Sequence, residues 1–332
     1  MNTKTKPAPS VVPSNTPSRH LKRADLDAMA AKVSNWGRWG PDDEIGTLNH
    51  VKPSDLVGAA GLIKKGKAIS LGLDFNFRGP QSGWGGRFNP IHSMLATGTD
   101  AVAGNQDHLG LRYADDMVTM PLQCGTQWDA LGHIFYGDKM WNGYEATLVD
   151  ATGAKKNGIE KTRDKMVGRG VLLDVARFKG GDSLAPGYGI GSQDLDDCAK
   201  AQGVEIRPGD FVIVRTGHME HCLDAGDWGG YAGGDAPGLR FETCEWIHRQ
   251  DIAAICFDTW GCEVRPNESM EIGQPWHWVV IPMIGITMGE IFNVRELAED
   301  CLADGVYEFF FCAPPLPITG AVGSPINPIA IK

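Results

Sequence analysis

Hydrophobic and polar positions divide the chain into two parts that differ in regularity. The second half alternates short apolar runs, typical of buried strands, with segments whose apolar residues recur at helical spacing. The pattern predicts strands at 170–175, 211–215, 252–257, 278–284 and 306–311, and helices at 193–202, 239–250 and 294–303. Helices interleaved with β-branched runs are typical of α/β proteins.

The first half is less regular. The pattern predicts a helix at 24–33, a second helix from Pro53 to about residue 65, and a strand at 68–75. Residues 76–120 show little periodicity and are interpreted as an ordered, functional loop region. Residues 1–20, rich in Pro, Ser, Thr and Lys, are expected to form a disordered tail, which leaves 21–332 as a single domain.

The predicted strands outnumber the predicted helices. We therefore expect an α/β fold with a mixed sheet or a partly closed β-barrel flanked by helices, rather than a doubly wound parallel sheet. The sequence contains no G-x-G-x-x-G pattern after a predicted strand, so nothing indicates a nucleotide-binding loop.

Composition excludes several classes of partner. The 332 residues carry a formal net charge of -10, which argues against nucleic acid because phosphate binding needs a basic surface. The sequence shows no apolar run of membrane-spanning length and no apolar core of a secretory signal, so we expect a cytoplasmic protein without membrane contact. The eight Cys include no C-x-x-C pair and are interpreted as reduced, mostly buried thiols.

The segment QCGTQWDALGH, residues 123–133, concentrates polar side chains between apolar flanks. Buried polar groups must be paired or bound to a ligand. Gln123, Gln127, Asp129 and His133 share a parity, but a straight strand would spread them over roughly 30 Å. A chain bent at the glycines could gather the first three around one metal ion. A turn with satisfied amides remains the alternative, because Gln is an uncommon metal ligand.

This segment resembles the motif His-x-Gly-Thr-His-x-Asp-x-Pro-x-His of the cyclase/kynurenine formamidase family of metal hydrolases. Four motif positions match residue for residue: Gly125, Thr126, Asp129 and His133. Gln123 and Gln127 stand where the motif has its first two His, and Leu131 replaces Pro. The Gln pair is similar to a branch of the family that includes trans-dienelactone hydrolase.

The resemblance continues to the C-terminus from about Trp36. Gln274-Pro275-Trp276-His277, followed by Glu290, looks like the second metal segment of the family. Alone, His277 could be a hydrogen-bonded residue at a strand edge, and Glu290 could sit in the first turn of a helix, where a carboxylate is favoured. The family further implies a swivelling β/β/α cyclase-like fold and a homodimer or homotetramer.

The resemblance implies one divalent ion and no organic cofactor. Its ligands would be Gln123, Gln127, Asp129 and His277, with His133 and Glu290 as catalytic residues. Amide oxygens are weaker donors than imidazole, so zinc should bind less tightly than in a His-rich site. Zinc or manganese is expected, magnesium stays an option, and a second ion becomes less favoured.

The expected reaction is hydrolysis of a carbonyl compound by a metal-activated water, with His133, assisted by Glu290, moving the proton. Family members open cyclic amides, lactones or formanilides, and the Gln-containing branch favours a lactone. A serine hydrolase is disfavoured because the chain contains no G-x-S-x-G elbow.

Several residues near the motif segments are candidates for binding a cyclic or aromatic small molecule. Trp128 and Trp276 are predicted to wall the pocket. Arg87 is a candidate partner for a carboxylate, with an exposed surface charge as the alternative. His92 is a candidate partner for a carbonyl, and His218, from an H-x-x-H pair, is expected near the pocket.

Two rival functions stay open on the sequence alone. One is a metal-dependent lyase or dehydratase that acts on a small organic acid through an enolate. The other is a non-catalytic small-molecule-binding relative that lost its metal together with the two His of the motif. Retention of Asp129, His133, His277 and Glu290 argues against the second.

Overall fold

A computed structural model describes residues 10–332. The strands are β1 (Val11–Val12), β2 (Ala68–Ser70), β3 (Ile91–Ala96), β4 (Asp115–Thr119), β5 (Gln127–Asp129), β6 (Val149–Asp150), β7 (Gly153–Ala154), β8 (Val167–Asp174), β9 (Ser183–Leu184), β10 (Gly189–Ile190), β11 (Phe211–Arg215), β12 (Gly238–Leu239), β13 (Ala254–Phe257), β14 (Thr287–Glu290), β15 (Glu308–Cys312), β16 (Gly323–Pro325) and β17 (Ile329–Ile331). The helices are α1 (Arg23–Val33), α2 (Pro53–Ala60), α3 (Gly98–Val102), α4 (Val175–Phe178), α5 (Ser192–Gln202), α6 (His218–Ala225), α7 (Thr243–Gln250), α8 (His277–Val279) and α9 (Arg295–Asp304).

One nine-stranded sheet organises the protein, in the order β16-β5-β14-β13-β11-β8-β15-β17-β2. The four central strands β8, β11, β13 and β14 are parallel, and the flanking strands pair antiparallel. The sheet is mixed, curled and flanked by helices, which confirms the predicted fold class.

Both faces of the central strands are buried, which explains their uninterrupted apolar runs. In β11, Val212 and Val214 belong to one hydrophobic core, whereas Phe211 and Ile213 belong to the core on the other side. Helices α1, α5 and α7 contribute side chains to the first core, and α9 contributes to the second. The alternation of side chains across a strand thus places two helical layers against one sheet.

The helix starts follow local signals in the sequence. The backbone N–H of Lys22 donates to Asp25 at 2.8 Å, which caps the first turn of α1. Helix α2 begins with Pro53 at its first position, and Asp55 accepts the N–H of Lys52 at 2.9 Å. These caps explain why the predicted starts of both helices lie within one residue of the observed ones.

The strand predicted at 278–284 is wrong. The segment forms α8 and then a π-helical turn, Val280–Ile284, which ends at Gly285 with φ +80°. A Cβ on Gly285 would lie 2.5 Å from the Trp141 ring, so only glycine fits there. The error has a physical cause, because a short apolar run is compatible with a buried helix as well as a strand.

The predicted tail also differs from the structure where it is described. Residues 1–9 of that segment lie outside the described residues. Residues 10–20 run along the body of the protein: β1 pairs with β9, and Asn15 exchanges two hydrogen bonds with the backbone of Gly189. Long-range backbone pairing therefore outweighs the polar composition of this stretch.

The irregular stretch at 76–120 contains an antiparallel hairpin, β3–β4, and the short helix α3. The residues of both hairpin strands are largely exposed. All eight cysteines are free thiols and seven are buried, as expected from their apolar contexts. Within residues 10–332, no helix combines the length and the apolar character needed to cross a bilayer.

Candidate active site

The centre of the site lies on two neighbouring antiparallel strands. Gln127 of β5 pairs in register with Glu290 of β14, and Asp129 lies two residues further along β5. The amide nitrogen Nε2 of Gln127 lies 2.8 Å from Glu290 Oε2 and 3.2 Å from Asp129 Oδ1. All three side chains are buried, so this amide donates to two carboxylates that have little exposure to bulk solvent.

Two histidines complete the cluster from different elements. His277 begins α8, and its Nε2 lies 3.4 Å from Glu290 Oε1. Its Nδ1 is hydrogen-bonded to Glu263, which also accepts the backbone N–H groups of Trp276 and His277. His133 follows the turn after β5, and its Nε2 lies 3.8 Å from Asp129 Oδ1.

A cavity of about 260 Å³ opens onto this cluster. Five of its lining residues were predicted from the sequence to be site residues: Arg87, Asp129, His133, His277 and Glu290. Four further lining residues were not predicted: Trp84, Ile134, Trp260 and Gln274. The structure therefore brings together most of the charged residues that the sequence places in separate segments.

The backbone beside the cluster is strained. Ile291, directly after Glu290, has φ +60°, a conformation that a β-branched residue rarely adopts. Two hydrogen bonds hold it there: its N–H donates to Thr259 O at 3.0 Å, and its carbonyl accepts from Thr126 Oγ1 at 2.6 Å. Gln274, which lines the cavity, also has positive φ, +53°. Such strain is concentrated at functional sites because surrounding contacts must maintain it.

The electrostatics of the cluster separate its titratable groups. Burial and the nearby Asp129 carboxylate raise the pKa of Glu290 above its ordinary value. Burial lowers the pKa of His277, but Glu263 and Glu290 outweigh it, so its pKa is raised overall. Burial lowers the pKa of His133, which keeps this imidazole neutral at pH 7 and able to accept a proton.

The donor chemistry of the cluster suits a divalent cation. Two buried carboxylates and an imidazole nitrogen converge, and Gln127 Oε1 is buried without a hydrogen-bond partner. An amide whose ends exchange places would turn that oxygen toward the carboxylates, where a cation would satisfy it. Glu263 holds the far nitrogen of His277, as carboxylates commonly do for metal-bound His.

The side chains are not yet spaced as a closed set of ligands. Within residues 10–332, no three His, Cys, Asp or Glu side chains are arranged to hold a metal ion. The Gln127 amide nitrogen lies between the two carboxylates instead. Gln127, Asp129, His277 and Glu290 nevertheless contact one another through their donor atoms, so they are the residues that would hold a divalent ion.

Other predicted site residues lie elsewhere. Gln123 is half-buried, and its amide lies against Gly323 of β16 rather than among the lining residues of the cavity. Trp128 points to the opposite face of β5, where its Nε1 donates to Ala313 O at 2.7 Å. Trp276 is fully buried and donates to Thr243 Oγ1. Both tryptophans pack in the core, so neither of them lines the cavity as the sequence predicts.

The remaining candidates are His92, His218 and Arg87, and they differ in their position relative to the cavity. His92 is exposed on β3, pairs with Asp116, and lines a second cavity that shares Arg87 with the first. His218 is buried and stacked on Tyr231, and it does not line the cavity that opens onto the cluster. Of these substrate-binding candidates, Arg87 alone lies in the cavity beside the carboxylates.

Sequence reasoning missed Glu263 and the role of Thr126. A signal for Glu263 is present, because a carboxylate between Cys262 and Val264 in a largely apolar segment must find a partner when buried. Thr126 was matched to the motif without a role. Its hydroxyl accepts the N–H of Leu73 at 2.7 Å and donates to Ile291, contacts that depend on distant segments.

A known protein family and several solved structures are similar to this chain. The profile of the putative cyclase family matches residues 48–264. A crystal structure described as a novel cyclase is 39% identical, with a TM-score of 0.82, and covers 90% of this chain and 100% of its own. No curated protein matches the sequence at a significant level.

Isatin hydrolases share the fold at lower identity. Isatin hydrolase A from Ralstonia solanacearum is 18% identical with a TM-score of 0.57, covering 84% of this chain and 95% of its own. An isatin hydrolase bound to the product analogue thioisatinate is 15% identical with a TM-score of 0.59, covering 85% and 99%. At these identities the likeness concerns the fold.

Proposed function

The chain belongs to the putative cyclase family, and from that premise we propose that it is a metal-dependent hydrolase that cleaves a carbonyl compound, most favourably a cyclic ester. The observation that carries this proposal is the buried cluster of Asp129, Glu290 and His277 around the Gln127 amide, next to a neutral His133. A cyclic amide or a formanilide is the alternative substrate class.

The four residues Gln127, Asp129, His277 and Glu290 would hold the ion. Two carboxylates balance a divalent charge, and an amide oxygen favours manganese or magnesium relative to zinc. When bound, the ion supplies polarisation of the carbonyl and acidification of water. Glu263 fixes the orientation of His277, so that Nε2 faces Glu290.

His133 is the proton carrier in this proposal. It is neutral at pH 7 and lines the cavity, and its Nε2 lies beside Asp129. It accepts a proton from water in the cavity as the oxygen attacks the carbonyl, and it returns that proton to the leaving group. Asp129 stabilises the imidazolium formed between these steps.

Support for the substrate class comes from two sources. Structures with the same fold are described as isatin hydrolases, one of them bound to the product analogue thioisatinate. The preference for a lactone rests on the resemblance of Gln123 and Gln127 to the Gln pair of one family branch, although Gln123 lies against Gly323 outside the cluster. The comparisons support the family but not the trans-dienelactone-hydrolase-like branch.

The test couples metal content to turnover. The full chain is purified without chelator, analysed for metals, stripped, and restored with manganese, zinc or magnesium. A panel of lactones, cyclic amides and formanilides is then assayed, with product mass as the readout. We expect loss of turnover on stripping, recovery with one ion per chain, and products heavier by one water. Products without added water would favour a lyase, and absence of metal binding would contradict the proposal.

A further inference from the structure

Arg87 packs its guanidinium on aromatic rings and has no carboxylate partner within residues 10–332. Its guanidinium lies over the rings of Trp260 and Trp84, 5.2 and 5.7 Å from their centroids. The two rings contact each other edge to face at 5.2 Å. Within residues 10–332, the Arg87 side chain forms no ion pair, although Asp129 and Glu290 line the same cavity. The aromatic faces hold a cation in place without neutralising it.

The lining of the cavity combines both signs of charge. Asp129 and Glu290 line it, and Arg87 is the only Lys or Arg among the cavity-lining residues of the described chain. The two carboxylates are the residues that would neutralise a divalent ion, whereas Arg87 remains without a carboxylate partner in that part of the chain and can bind the negative group of a substrate.

Arg87 also borders a second, larger cavity of about 670 Å³. Aromatic side chains line part of that space, among them Phe75, Phe77 and Phe88. A guanidinium at the junction can form paired hydrogen bonds to a carboxylate while the aromatic walls contact a flat molecule. The junction therefore combines charge recognition with apolar contact.

We propose that Arg87 is an anion-recognition residue and that the substrate is a planar molecule carrying a carboxylate, which Arg87 binds while the scissile carbonyl faces His133. The proposal rests on the hydrolase function proposed above, since that function places the scissile carbonyl next to His133. It assigns a substrate class to the site: planar carboxylates rather than neutral ring compounds.

Gln81 supports this geometry as a positioning residue. Its Oε1 accepts the N–H of Trp260 at 3.3 Å, and its Nε2 donates to Cys124 O at 2.9 Å. One buried amide thus connects the tryptophan under Arg87 to the segment that leads into β5. These two contacts hold the ring of Trp260, on which the Arg87 guanidinium lies, against that segment.

The test measures binding without turnover. Benzoate and benzamide have nearly the same shape and differ in charge, so they serve as a matched pair of probes in calorimetric titrations of the full metal-loaded chain. We expect wild type to prefer benzoate. Arg87→Met should weaken benzoate binding by about tenfold or more and change benzamide binding little.

A matched control comes from the same part of the chain. Arg78 is exposed, lies 5.2 Å from the Phe77 ring, and does not line the carboxylate-bearing cavity. Arg78→Met should therefore leave both affinities unchanged. The melting temperature of each variant checks folding. If Arg87→Met does not fold, Arg87→Lys and Arg87→Gln form a second pair, with the preference kept in Lys and lost in Gln.

Three results would overturn the proposal: no preference for benzoate in wild type, equal losses of both probes in Arg87→Met, or the same loss in Arg78→Met. Because the readout is affinity, it does not depend on catalysis. A benzoate preference that requires Arg87, in a protein that hydrolyses nothing in a substrate panel that includes carboxylate-bearing members, would contradict the hydrolase function and leave the anion site standing.

Discussion

Two walls enclose the candidate site, and they differ in burial and in chemistry. The sheet wall consists of Gln127, Asp129, His277 and Glu290, all at most 3% exposed. The loop wall consists of Trp84 and Arg87, and Trp84 is 51% exposed. Buried, hydrogen-bonded groups on regular elements hold fixed positions, whereas a loop can vary what it presents without disturbing the core. On the proposed function, the sheet wall would hold the ion next to His133, and the loop wall would select the substrate.

The largest effect is expected from replacing His133, which would test the role of the site in the reaction. His133→Ala should lower turnover by about 10²- to 10⁴-fold, because it removes the proton carrier. Metal affinity should stay within experimental error, since His133 is not among the proposed ligands. Steady-state kinetics and metal titration on the same preparation measure both quantities.

The loop region offers a matched histidine as control. His108 is exposed in the loop between α3 and β4 and lines neither of the two cavities. His108→Ala should leave both turnover and metal affinity close to wild type. Loss of metal with retained turnover in His133→Ala would mean that His133 is a metal ligand and not the proton carrier.

The second prediction concerns a residue behind the sheet wall. Glu263 holds Nδ1 of His277 and two backbone N–H groups. Glu263→Gln places an amide N–H where these donors need an acceptor, so His277 loses its fixed orientation. We expect metal affinity to fall about 10- to 100-fold, as found when partners of metal-bound His are removed.

Glu268→Gln is the control for burial alone. Glu268 is a buried carboxylate that accepts the backbone N–H of Phe241 and does not hydrogen-bond to His277. Manganese titration should show wild-type affinity for this variant. If both variants lost metal affinity equally, the loss would follow from replacing a buried carboxylate. Glu263 would then have no specific role in orienting His277.

The same division explains what the sequence predicts and what it does not. Strand β11 was predicted with its observed bounds, because its apolar run lies between a turn and a polar residue. The alternation of side chains along a strand correctly places Gln127 and Asp129 on one face. The same rule places Trp128 on the other face, where the structure has it packed in the core. Local patterns therefore describe the sheet wall well.

Contacts between distant segments lie beyond such patterns. Thr126 and Ile291 are 165 positions apart, and Trp260 and Gln81 are 179 apart. No sequence periodicity indicates these contacts, because the residues become neighbours only in the folded protein. The helical segment after His277 was missed for a related reason, since its apolar residues fit a strand or a buried helix equally well until packing decides.

The smallest expected effect tests how the two walls are joined. Thr126 Oγ1 accepts the N–H of Leu73, on the segment that leads into the loop wall, and donates to Ile291, next to Glu290. Thr126→Val keeps the side-chain shape but leaves the half-buried N–H of Leu73 and the buried carbonyl of Ile291 without their partner. We expect the free energy of unfolding to fall by about 1–3 kcal/mol, measured by urea denaturation.

Turnover should also fall in Thr126→Val, by less than in His133→Ala, because Ile291 loses one of the two hydrogen bonds that maintain its positive φ. Thr119→Val, on an exposed position of β4, is the control and should change stability by less than about 0.5 kcal/mol. Lower stability with unchanged turnover would mean that the strain at Ile291 is incidental. Loss of both would mean that one hydroxyl sets the position of Glu290 relative to the loop, so that neither wall of the site is independent of the other.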